Sequence, residues 1–174
     1  HFGLEIWSIE KVASHGGSLR IFIQKAGGPY SISEKVENMR REEQKRLSDS
    51  ACRVFAEKVL KAKTELIETI AQIKRSGKSI SGYGAPAKAS TIINFCGLNT
   101  GQIDYIVDDN ALKQNRLMPG ARIPVVSSSI LFEKPTDYVV IFAWNFADEI
   151  IKKAGFLRKK GVKFIIPLPH PKIV

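Results

Sequence analysis

The amino-acid sequence predicts an α/β fold: a Rossmann-like parallel sheet with flanking helices, preceded by a β-hairpin and a long connector helix. Three observations carry that prediction. After Gly77, short apolar runs alternate with helical stretches, the order that yields parallel strands joined by right-handed crossovers. The first run leads into Gly82-Tyr83-Gly84-Ala85-Pro86-Ala87-Lys88, a glycine loop that opens a helix. Upstream, residues 4–12 alternate apolar and polar, whereas apolar residues from Leu47 onward recur every three or four positions, the periods of a half-buried strand and of an amphipathic helix.

The chain opens at His1-Phe2-Gly3 without a methionine, which reads as a piece of a larger protein. Residues 4–12 and 18–25 form two strands around the glycine turn Ala13-Ser14-His15-Gly16-Gly17. A two-stranded hairpin is marginal in water, so residues 1–30 are expected to be the terminal hairpin of a preceding domain. Gly27-Gly28-Pro29 closes it,. A helical connector, residues 31–77, follows; Ser31 with Glu34 makes a capping box, and Ser33 is an equal alternative start,. Leu47, Ala51, Val54, Phe55, Val59, Ala62, Leu66, Ile70 and Ile73 lie on one stripe, and Gly77 is the stop,. A helix over 47–75 would be about 43 Å long, enough to bridge two domains.

Residues 78–174 are the expected Rossmann-like C-terminal domain. Ser79-Ile80-Ser81 is its first strand and 86–96 its first helix, with Pro86 in the first helical position and Gly97 after the end,. Strands follow at 103–107, around 123–126, at 137–143 and at 161–166, with a helix over 146–154. Pro167, Pro169 and Pro171 stop the last strand,.

Composition narrows the class. At 44% hydrophobic and 25% charged residues in 174, the chain can build a core. No apolar run approaches the roughly 18 residues of a membrane span and no signal peptide opens the chain,, so neither a membrane nor export is expected. Cys52 and Cys96 lack metal-ligand spacing and read as two buried thiols of a cytoplasmic protein. The net charge of +10 sits away from the glycine loop: residues 152–174 hold seven Lys/Arg and no acid, while residues 79–151 hold five Lys/Arg and seven Asp/Glu. A nucleic-acid domain concentrates cations on the face of its motif, so nucleic acid is not the expected partner. A solvated face, or docking to an acidic neighbouring domain, accounts better for this charge.

Ligands of parallel sheets bind beyond the carboxyl ends of the strands, near the first βα turn. Gly82, Gly84 and Ala87 fit G-x-G-x-x-A, which allows either a phosphate cradle with Tyr83, Ala85 and Pro86 or a tight packing turn. Lys88 in the first helical turn opposes the helix dipole unless an anion binds there. Asp108 stands where dinucleotide folds place a carboxylate on a ribose. Asp109 and Asn110 either contact a sugar or cap the following turn. Trp144 and Asn145 offer a ring plane and an amide on the same side, or pack beneath the loop and cap a helix.

Four landmarks in order, His15-Gly16-Gly17-Ser18-Leu19-Arg20, Gly82 to Lys88, Asp108-Asp109-Asn110 with Lys113-Gln114 and Met118-Pro119-Gly120, and Trp144-Asn145, resemble the C-terminal portion of S-adenosylmethionine-dependent C-methyltransferases that act on nucleotide-linked deoxysugars. The resemblance implies a parent protein with a zinc-binding N-terminal region, a central methyltransferase domain that binds S-adenosylmethionine, and this C-terminal domain. It implies a dTDP-type 4-keto sugar, deprotonated at carbon 3 so that the enolate takes the methyl group. This chain lacks a CxxC pair and the family's tyrosine/glutamate/histidine segment. It is therefore expected to hold the nucleotide-sugar and not to catalyse alone, with no catalytic residue of its own. His15 is either a structural residue or an active-site contact. Two alternatives stand beside this reading: an NAD- or CoA-binding Rossmann module, and a basic interaction or nucleic-acid-binding module.

Overall fold

The computed structural model describes residues 2–174. The side chain of His15, and with it the expected active-site contact, lies outside the described residues. The chain forms two compact units, His1–Glu57 and Lys58–Val174.

In the first unit, strands β1 (Leu4–Val12) and β2 (Ser18–Lys25) pair antiparallel, with Ile9 opposite Ile21 and a register shift between Ile6 and Ser8. The turn between them is a single 3-10 turn, in which the Ser18 hydroxyl donates to the Ser14 carbonyl at 3.0 Å. Trp7 stacks on Tyr30 at 4.6 Å and meets Phe22 at 5.4 Å. Ile9 and Val36 are buried, so one hairpin face is covered by the segment that follows it. Helix α1 (Glu34–Arg46) starts at Ser33, whose hydroxyl accepts the Lys35 N–H at 3.3 Å. The helix expected over 47–75 is present, starting two residues later, and a separate helix precedes it. The chain breaks at Leu47-Ser48, and helix α2 (Asp49–Arg75) begins afresh, with the Ser48 hydroxyl accepting the Ala51 N–H at 3.2 Å. That N-cap satisfies a donor the helix cannot.

The apolar stripe divides as well. Ala62, Leu66, Ile70 and Ile73 are buried, whereas Leu47, Val54 and Phe55 are exposed. Cys96 is buried as expected, but Cys52 is exposed; it belongs to the half of the helix whose apolar residues also face water.

The second unit is a seven-stranded sheet. Its parallel centre is β6 (Pro124–Val126), β4 (Ile106–Val107), β3 (Ile80–Tyr83), β7 (Tyr138–Ile141) and β8 (Lys163–Ile166), and β5 (Arg116–Leu117) and β9 (Lys172–Ile173) close the edges antiparallel. Counting only the parallel strands, the order is 3-2-1-4-5, the Rossmann order. Period-two alternation sorts the core. Ile80, Val140, Phe142 and Ile165 face α2 and α3 (Ala87–Cys96) with Leu66, Ile70 and Ile93. Val139, Ile141 and Phe164 face the other side with Leu131 of α4 (Ile130–Glu133), Ile150 of α5 (Ala147–Lys153) and Leu157 of α6 (Gly155–Lys159).

Boundaries differ from the sequence expectation where tertiary pairing overrides local signals. β3 runs through Gly82 and Tyr83, which the sequence places in the loop, because the Gly82 N–H pairs with the Tyr105 carbonyl at 2.8 Å. Pro86 is the N-cap of α3 and not its first residue. β4 keeps only two of five expected residues. β5, α4, α6 and β9 have no counterpart in the sequence prediction, since two to five residues carry no readable period,. Among the described residues no helix is long and apolar enough to cross a membrane.

At the amino-terminal edge of the sheet, Asp137 accepts the Ser79 N–H at 2.8 Å, the Ser79 hydroxyl at 2.7 Å and Lys78 Nζ at 2.9 Å. The Ser79 N–H above all, then Lys78 and the Ser79 hydroxyl, holds this carboxyl far below the ordinary range. A group whose acidity is raised by folding stabilises above its unfolded pKa and loses that contribution as pH falls towards the folded value. Asp137→Ala should therefore cost about 1 kcal/mol at pH 7, the low figure reflecting solvent screening. The deficit should shrink below about pH 4, which urea unfolding at pH 7 and pH 3 would measure.

Candidate functional site

The carboxyl ends of β3, β4 and β7 bring most of the expected site residues to one edge of the sheet. Gly84, at φ +88°, turns the chain out of β3, and its N–H donates to the Val107 carbonyl at 2.7 Å. A Cβ on Gly84 would lie 2.8 Å from that of Ala143, and one on Gly82 would lie 2.7 Å from the Phe142 ring and 2.8 Å from Ile106. Packing of the protein on itself therefore accounts for both glycines.

Asp108 closes the loop from below. Its carboxylate accepts the Ala85 N–H at 2.7 Å, the Asn110 N–H at 2.9 Å and Lys113 Nζ at 3.1 Å, and the residue is only 8% exposed. Burial pushes its pKa up, but the Ala85 and Asn110 amides and Lys113 together outweigh that and keep it below the usual range. Asp109 accepts the Tyr83 hydroxyl at 2.9 Å, the Ser128 hydroxyl at 2.6 Å and Lys153 Nζ at 2.8 Å. It thus ties together the β3, β4 and β6 ends and α5. Burial, followed by the bond to Asp109, raises the Tyr83 phenol above its ordinary pKa. The Asn110 side chain accepts the Leu112 N–H at 3.0 Å, the turn-capping geometry that its residue type allows beside sugar contact.

On the rim, Lys88 Nζ stands 4.5 Å from the centre of the Trp144 ring. The lysine is held on an aromatic face beside the first turn of α3. Asn145 follows in the 3-10 turn Trp144–Phe146 and has a partner of its own. Lys113, part of the Asp108 landmark in the sequence, joins the site, and Ser128 and Lys153 join it without any signal in the sequence that marks them as site residues. Lys153 sits within a basic run and Ser128 within Ser127-Ser128-Ser129, where nothing local distinguishes either one.

S-adenosylmethionine, like a nicotinamide dinucleotide, needs an acid for its ribose hydroxyls and a loop whose amides face the ligand. Here the acid accepts the Ala85 N–H, the Gly84 N–H pairs with the Val107 carbonyl, and Cβ-sized space at both glycines is already filled. Asp108 and the turn after β3 are thus committed within the protein itself.

Fold and site define a Rossmann-like domain whose first βα loop is locked by its own aspartate and bordered by a lysine–tryptophan pair. The chain belongs to the C-methyltransferase C-terminal domain family, whose model matches residues 13–169. It is 31% identical over 174 residues to the C-methyltransferase NovU of Streptomyces niveus, a match covering 99% of this chain and 41% of that protein. The chain thus spans less than half the length of this relative.

Proposed function

We propose that the chain is the substrate-side domain of an S-adenosylmethionine-dependent C-methyltransferase of the cytoplasm, acting on a nucleotide-linked, dTDP-type 4-keto deoxysugar. Residues 1–30 would complete a preceding methyltransferase domain, 31–77 would connect, and 78–174 would hold the nucleotide-sugar. The cofactor, the base that deprotonates the sugar and any zinc are assigned to the rest of the protein, and the chain alone is inactive. One observation carries the reading in a chain of this family: the Lys88–Trp144 pair at the carboxyl edge of the sheet. A cation beside a helix N-terminus suits a diphosphate, and an indole plane suits a sugar or base.

Titration of the chain with dTDP-glucose, followed by amide and indole NMR, tests it. Resonances of residues 82–90 and of the Trp144 indole are expected to shift. Lys88→Ala is expected to weaken binding about fivefold, the scale of a partly exposed cation–π contact and a lost phosphate partner. Unmoved resonances at millimolar ligand would refute the reading, and a thermal shift with NADH or coenzyme A alone would favour a cofactor-binding module.

A further inference from the structure

At the β9 edge of the sheet, separated from β3 and its glycine loop by β7 and β8, lies a groove of about 530 Å³ between α5, α6 and the last two strands. Its floor is apolar: Ile151, Ile166 and Val174 line it and pack, half-buried, against the core on that side of the sheet. Its rim is cationic: Lys152 comes from α5, Arg158 from α6 and Lys172 from β9, and all three are exposed.

The charge of this region is sorted between the groove and its surroundings. Residues 152–174 carry seven Lys/Arg and no acid. Three of the seven are committed inside the protein: Lys153 to Asp109 at 2.8 Å, Lys160 to the Phe132 carbonyl at 2.8 Å, and Lys163 over the Tyr138 ring at 5.9 Å. The other four, Lys152, Arg158, Lys159 and Lys172, make no side-chain hydrogen bond, ion pair or ring contact among the described residues. Three of those four line the groove. Asp148 is the one acid in its lining among the described residues, and it pairs with none of them. The negative ends of helices attract cations, which accounts for Lys152 and Arg158 singly, each in the last turn of its own helix. Lys172 stands on β9 and has no helix end to answer. Its convergence with the other two concentrates positive charge over apolar surface.

Uncommitted cations around an aliphatic floor complement a chain that is acidic on its flanks and aliphatic at its centre. We propose that this groove is a docking surface for an acidic segment of protein from outside residues 1–174. Carboxylates of that segment pair with Lys152, Arg158 and Lys172, and one aliphatic side chain covers Ile151 and Ile166. Charge selects against a second copy of this chain, whose net charge of +10 repels itself,. The apolar floor selects against nucleic acid, whose phosphates pair with cations but leave aliphatic side chains uncovered. None of the residues assigned to the nucleotide-sugar lines the groove, so the two readings stand or fall separately.

Fluorescence anisotropy of the whole chain with a labelled peptide of Asp and Glu around one central Leu tests this. The same peptide with Ser in place of Leu, and a labelled DNA oligonucleotide, serve as parallel probes. The Leu peptide should bind more tightly than either of them and should be released as salt rises. Arg158→Gln and Lys172→Gln should each weaken it about threefold to fivefold, the scale of one exposed ion pair. Lys159→Gln removes the same charge from a residue outside the groove lining and should change the affinity by less than about twofold at physiological salt. All three positions are exposed, so an unchanged melting temperature in each variant separates a lost contact from a lost fold. Equal losses in Arg158→Gln and Lys159→Gln would overturn the groove in favour of diffuse charge. DNA that binds more tightly than the Leu peptide, and is weakened by the same variants, would overturn the protein partner. Leu and Ser peptides of equal affinity would overturn the aliphatic contact, and no binding of the acidic peptide at low salt would sink the whole proposal.

Discussion

Asp108→Ala is expected to destabilise the second unit by about 2–4 kcal/mol and to release the glycine loop. The figure follows from what the carboxylate satisfies. Ala85 and Asn110 would each lose an acceptor for a backbone N–H, at 2.7 and 2.9 Å, and an unsatisfied donor costs about 1–3 kcal/mol where water cannot replace the partner. Lys113 would lose its counter-charge, but it is 40% exposed and can turn to solvent, so it adds little. Asp108→Asn keeps the shape and an acceptor oxygen, and should cost less. Because Asp108 is held below its ordinary pKa, its contribution is present at neutral pH and fades as pH falls through the folded value. The difference in stability between the alanine and native chains should therefore narrow at low pH. Denaturant unfolding gives the energies, and hydrogen exchange at Ala85 reports the loop. Slow Ala85 exchange in the alanine variant would contradict this role.

Gly82→Val should cost about 3 kcal/mol or more, the upper range of overpacking. A Cβ there enters the Phe142 ring at 2.7 Å and Ile106 at 2.8 Å, and both of those side chains are 0% exposed. Neither has space to yield. Gly155→Ala is the control: no atom lies within 4 Å of where its Cβ would stand and its backbone is ordinary, so it should be near neutral. Pairing Gly82→Ala with Phe142→Leu should recover part of the single-variant loss, which would identify Phe142 as the obstacle. Additive losses in that pair would show that the obstacle lies elsewhere.

These two residues also mark the limit of reading the chain in one dimension. Pattern alone points to both Gly82 and Asp108, one as part of a phosphate motif and the other as a ribose acid. Their positions at the carboxyl ends of β3 and β4 follow from strand–helix alternation. Their partners do not. Asp108 finds Ala85 twenty-three residues away, and Gly82 meets Phe142 across the β3–β7 pairing. The same distance hides Lys153, which reaches Asp109 from α5 across 44 residues.

The sequence by itself determined the hairpin at Leu4–Val12 and Ser18–Lys25, the alternating α/β unit after Gly77, the helix stop at Gly97 and the family, because alternation, glycine stops and ordered motifs are local properties of a chain,. Tertiary structure alone decided that the connector breaks at Ser48, that Cys52 is exposed, that Gly82 is a packed strand residue and that the first βα loop is closed by Asp108. Each of those depends on which atom occupies the space beside a residue. Contacts between residues distant in the chain set that occupancy, and no local pattern encodes it.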